Sequence, residues 1–129
     1  MQVSPVKFAI LVIALLVAIS HAFYVQYISD SVSIGGYFLV ATILFAAGGF
    51  AALTSGKLFK PAVIGLFALS LIDNLLILVT TSVATPLSGG QVFGWSTDWM
   101  PPGQVQVLIA QIILMLLTGY VLLAKRKAT

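Results

Sequence analysis

The chain has no cysteine and no glutamate. The first absence excludes disulfides, thiolate metal sites, iron–sulfur clusters and thiol redox chemistry within this chain. The second leaves Asp30, Asp73 and Asp98 as the whole acidic set, beside a single histidine, His21. Charge of either sign is scarce. Charged residues are 7% of the 129, against about 25% in a typical soluble domain. So few charges cannot coat a soluble surface. The length leaves room for one domain, residues 1–129, and no separate soluble module.

What is present is apolar. The sequence is 60% hydrophobic, with a mean hydropathy of +1.15. Four apolar runs stand out, at residues 5–28, 32–54, 61–84 and 104–124. Each is about 20 to 24 residues long, enough at ~1.5 Å per residue to cross a hydrocarbon core of ~30 Å. In lipid such runs must be helical, because each backbone donor and acceptor has to be satisfied internally. The expected fold is an all-α membrane protein, four transmembrane helices in an antiparallel bundle. Short turns after the first and second runs make those neighbours adjacent.

The basic residues orient this bundle. Lys7, Lys57, Lys60, Lys125, Arg126 and Lys127 are all six of them. Four crossings put them on one side, while the opposite loops hold Asp30 and Asp98 and no lysine or arginine. The positive-inside rule then predicts cytoplasmic N and C termini in the cell membrane. The net charge of +3 serves topology and anionic headgroups, and does not suggest nucleic acid. A competing feature is the triplet Ser20, His21, Ala22 after Lys7 and an apolar run, which is similar to a cleavable signal peptide. The expectation is that the segment is retained as the first span.

One connection is long. "TPLSGGQVFGWSTDWMPPG", residues 85–103, carries Phe93, Trp95, Asp98, Trp99 and Met100. Loops beyond about 12 to 15 residues are often functional. Its tryptophans either anchor at headgroup level or form a docking surface for a partner.

The polar residues within the spans follow helical spacing. Ser70, Asp73, Asn74 and Thr81 share one face of the third span, opposite Leu71, Leu75, Leu78 and Ser82. Gln104, Gln111 and Thr118 recur every seven residues in the fourth span. Ala14, Ala18 and Ala22 recur every four in the first, with His21 beside them. Gly48, Gly49 and Ala52, within "AAGGFAA", form a second patch of small residues. Small residues let helices approach closely. Depths measured from the lysine side at ~1.5 Å per residue are roughly 18 Å for Asp73, 20 Å for Gln111 and Thr42, and 22 Å for His21. The expected result is one polar cluster of His21, Thr42, Ser70, Asp73, Asn74 and Gln111.

A lone central aspartate costs about 2.5–3.5 kcal/mol on insertion scales. Asp73 therefore either stays protonated or ionises beside protonated His21, with Asn74 and Gln111 as donors. Three uses fit such a cluster: a structural network, a polar contact to another subunit, a quinone or a lipid headgroup, or a proton- or ion-handling site. The sequence shows no nucleophile–base–orienter set, phosphate loop or metal-ligand spacing. With one histidine, bis-histidine haem ligation would need a second chain. The expected role is a non-catalytic accessory subunit of a multi-subunit membrane complex, a respiratory or other redox assembly. It packs against partner subunits as a hetero-oligomer and binds no cofactor alone, apart from quinone or lipid contact. The alternatives are a small proton-coupled transporter or channel using Asp73 and His21, and a scaffold factor acting through the Trp loop.

Overall fold

The computed structural model describes residues 5–26, 32–53, 57–83, 92, 94–99 and 102–128, with side chains as far as residue 124. Four helices account for most of them: α1 (Pro5–Ala22), α2 (Val32–Ala51), α3 (Phe59–Ser82) and α4 (Gln104–Ala128). Each contains a window long and apolar enough to cross a membrane. Asp30, Phe93, Met100 and all of residues 85–91 fall outside the described residues, as do the side chains of Lys125, Arg126 and Lys127.

The helix ends differ from the expected spans for local reasons. α1 stops at Ala22 and not at residue 28. Past it the chain tightens, with Tyr24 N–H donating to the His21 carbonyl at 3.0 Å. A three-residue bond of this kind closes the narrower 3₁₀ turn. α3 starts at Phe59, with Pro61 in its first turn, where a missing N–H leaves no bond unmade. At its other end Val83 turns extended and its N–H still bonds the Val79 carbonyl. α4 continues beyond residue 124 to Ala128.

The helices contact one another in a ring, α1 on α2, α2 on α3, α3 on α4 and α4 on α1. The α1–α2 and α3–α4 contacts are the most extensive, and α2–α3 is the thinnest. Small residues set the close approaches. A methyl group at Gly49 would sit 3.0 Å from the Ala14 Cβ and 3.7 Å from the Leu11 Cα, so α1 and α2 nearly touch there. At Gly48 the neighbour is the Leu66 side chain of α3. Ala14, Ala18 and Ala52 are buried, whereas Ala22 is exposed at the end of α1.

The interior combines Ile10, Val17, Phe45, Val63, Leu66 and Leu114 with buried polar groups. The outside is apolar as well: Ile43, Leu75 and Leu116 are each more than half exposed. That arrangement is the one lipid favours. No hydrophobic force drives helices together there, so packing and interhelical hydrogen bonds must hold them.

Candidate functional site

The buried polar groups gather toward the end of the bundle where α1 finishes and α2 begins. His21 is the penultimate residue of α1 and is 3% exposed. Its Nδ1 lies 2.8 Å from the Val17 carbonyl, one turn back on the same helix. A carbonyl only accepts, so Nδ1 carries a hydrogen. Its Nε2 lies 3.0 Å from Asp73 Oδ2 on α3. One further proton occupies that line, on the imidazole or on the carboxyl. Either way the pair is neutral as a unit, which removes most of the penalty of a bare charge in lipid. The rings of Phe38 and Phe45 pack against the imidazole, with centroids at 5.8 Å and 5.3 Å.

The second carboxyl oxygen is also engaged. The Tyr37 hydroxyl, from the second turn of α2, donates to Asp73 Oδ1. Asp73 thus ties α1, α2 and α3 at one point. The next residue extends the layer to α4: Gln111 Nε2 donates to Asn74 Oδ1 at 2.5 Å. Asn74 Nδ2 in turn faces the Met115 sulfur at 3.7 Å, a weak acceptor. Neighbouring positions on α3 therefore reach three other helices.

Other polar residues of the spans, Thr42 and Ser70 of the expected cluster among them, behave differently. Thr42 donates to the Phe38 carbonyl of its own helix at 2.7 Å and takes no part in the layer. Thr81 and Thr118 do the same toward Ile77 and Leu114. A short β-hydroxyl finds the carbonyl four residues back before it can reach another helix. Ser70 is fully buried, and its Oγ and Gln111 Oε1 have no hydrogen-bond partner among the described residues. Gln104 leaves the seven-residue stripe and bonds the loop. Among the described residues no group of three histidine, aspartate or similar ligands gathers to hold a metal ion.

Tyr37 is the member that sequence reasoning missed. A tyrosine near the start of a span reads as a headgroup anchor. The usable signal was the short α1–α2 connection, which puts the end of α1 and the start of α2 at equal depth. A phenol is long enough to cross from there.

The loop before α4 forms a second ordered feature. Gly94 turns the chain with a φ of 74°. The Ser96 carbonyl accepts from Val105 N–H at 3.1 Å, and the Asp98 carbonyl from Gly103 N–H at 2.9 Å. Gln104 Oε1 accepts from Ser96 N–H at 3.1 Å, and Gln106 Nε2 donates to the Thr97 carbonyl. Trp99 pairs with Pro102 as an isolated antiparallel bridge. Tyr24, just past α1, donates its hydroxyl to the Pro102 carbonyl at 2.6 Å. This frame holds Trp95 at 49% and Trp99 at 79% exposed, with Asp98 exposed between them.

No protein-family model, no curated protein and no solved structure matches the chain.

Proposed function

We propose that this protein is a non-catalytic integral-membrane subunit that packs against other membrane subunits. One observation carries the reading: the titratable pair at the centre of the polar layer, His21 and Asp73, is fully engaged within the chain. Both imidazole nitrogens of His21 and both carboxyl oxygens of Asp73 bond groups of this same chain. Its polar chemistry therefore serves to fix four helices in register. The proposed topology keeps both termini cytoplasmic, as the placement of the basic residues implies. The framed loop then lies on the outer face, and Trp95 and Trp99 form its contact with a partner. A loop backbone already held in place lowers the ordering penalty of binding.

Extraction from native membranes in mild detergent tests the reading. A hetero-oligomer is expected, and a lone monomer or simple homodimer would count against it. Trp95→Ala with Trp99→Ala is expected to weaken partner recovery at least tenfold while membrane insertion is unchanged, since each buried interface tryptophan commonly contributes about 2 kcal/mol. Equal recovery would remove the loop from the interface.

A second reading rests on a different feature of the same layer. His21, Asp73 and Tyr37 are three titratable groups bonded in series across three helices, and intramembrane ionisable chains mark proton relays elsewhere. As a proton-coupled carrier, the protein reconstituted in liposomes would show pH-driven flux that Asp73→Asn abolishes while the fold survives. The subunit reading expects no such flux in either form.

A further inference from the structure

Tyr24 stands between the polar layer and the loop before α4. It lies three residues beyond His21, in the tight turn that ends α1. Its ring packs on Phe38 of α2, with centroids 5.3 Å apart. Phe38 in turn packs on the His21 imidazole at 5.8 Å and on the Tyr37 ring at 5.7 Å. His21 and Tyr37 are the two groups that bond Asp73. An aromatic stack therefore runs from Tyr24 to the centre of the layer, and His21 beneath it is buried.

The other end of Tyr24 is held by the loop. Its hydroxyl donates to the Pro102 carbonyl at 2.6 Å, across 78 positions of sequence. Pro102 is itself fixed from both sides. It is bridged to Trp99, and the next residue, Gly103, donates its N–H to the Asp98 carbonyl at 2.9 Å. Gly103 is also pressed on Ser96. A Cβ there would stand 2.6 Å from the Ser96 carbonyl carbon, closer than any real contact allows. Nothing larger than glycine fits unless the backbone beside Pro102 shifts.

We propose that Tyr24 is a latch set by the loop: bonded to Pro102, it holds Phe38 over His21 and keeps water at that end of the bundle away from the His21–Asp73 pair. Whatever moves Trp99 or Gly103 moves the Pro102 oxygen, and so acts on the pair without touching it. The residue type suits the task. A tyrosine presents an apolar ring to the stack and one polar tip to the loop. The tip makes a single neutral hydrogen bond with the loop, and loops open at lower cost than packed helices. Water admitted to the pair would compete for its hydrogen bonds, which are strong only while dry. The inference depends neither on the loop's having a partner nor on proton transport.

The test places the full chain in phosphatidylcholine nanodiscs in deuterated water. Mass spectrometry then follows deuterium entering the imidazole Cε1 position of His21. The chain has one histidine, so the signal has one source. The parent is expected to exchange far more slowly than the chain unfolded in denaturant. Tyr24→Phe keeps the ring and loses the bond. It should speed exchange about fivefold, the equivalent of about 1 kcal/mol for one hydrogen bond. Gly103→Ala perturbs the loop side alone and should speed it to a similar extent. The double variant should be little faster than either single one, because the same bond is lost once. Backbone amide exchange in α2 and α3 should stay at the parent's level, which separates release of the latch from loosening of the bundle. Unchanged His21 exchange in Tyr24→Phe would overturn the proposal and leave Tyr24 as a headgroup anchor. Faster exchange in Tyr24→Phe but not in Gly103→Ala would overturn the loop's control. Equal acceleration of the α2 and α3 amides would overturn the latch itself.

Discussion

Asp73→Leu is expected to destabilise the bundle by about 3 kcal/mol, while Asp73→Asn is close to neutral. The contrast comes from what each leaves behind. Leucine removes both acceptors at once, so the buried His21 Nε2 and the half-buried Tyr37 hydroxyl are left without partners. An unsatisfied buried polar group costs roughly 1–3 kcal/mol, and in membranes alternative partners reduce that toward the lower end. Asparagine keeps an oxygen for Tyr37. Its amide can donate to Nε2, which is free to accept because the other ring nitrogen holds its hydrogen against the Val17 carbonyl. Adding His21→Leu to Asp73→Leu should recover part of the loss, since the orphaned imidazole is then gone. Reversible unfolding in mixed micelles reads all three variants. Equal stability of the leucine and asparagine variants would show that the layer does not hold the helices.

Gly49→Leu is the second large effect, expected at about 3 kcal/mol or above. A Cβ there is already tight against the Ala14 and Leu11 side chains of α1, at 3.0 Å and 3.3 Å, so a leucine has no room beyond it. Leucine must push α1 off α2, and overpacking a filled contact commonly costs about 1–3 kcal/mol before any polar partner is lost. Here the same push separates His21 from Asp73, so the loss exceeds packing alone. Gly65→Ala is the internal control. It has open space and gains up to about 1 kcal/mol of helix propensity, so it should be neutral or slightly stabilising. The same unfolding measurement applies. A Gly49→Leu variant as stable as Gly65→Ala would mean that α1 and α2 do not pack through this face.

The helices were legible because a bilayer leaves the sequence few choices. A long apolar run in lipid must be a helix. The polar layer was partly legible for a related reason. Helical spacing puts Asp73 and Asn74 on one face of α3, and depth counted along each helix brings His21 and Gln111 level with them. Reach was not legible. Thr42 lies at a suitable depth, yet its hydroxyl is satisfied one turn away on its own helix. Tyr37 starts nearer the helix end, yet its phenol extends to Asp73. Side-chain length decides between those outcomes, and periodicity carries no information about it. The frame around Trp95 and Trp99 was hidden in the same way. It depends on the Gln104 and Gln106 side chains folding back from α4 and on Tyr24 reaching across from α1. No short-range pattern announces bonds of that kind.

The layer also constrains how the chain is born. His21 and Asp73 are 52 positions apart, and Tyr37 is 36 from Asp73. A ribosome delivers α1 and α2 to the membrane first, so His21 Nε2 and the Tyr37 hydroxyl lack their Asp73 partner until α3 follows. The nascent two-helix intermediate is therefore incomplete in a way that the finished protein is not. Chains truncated before Asp73 should be held by the insertion machinery or cleared by membrane quality control more than chains that include the whole of α3.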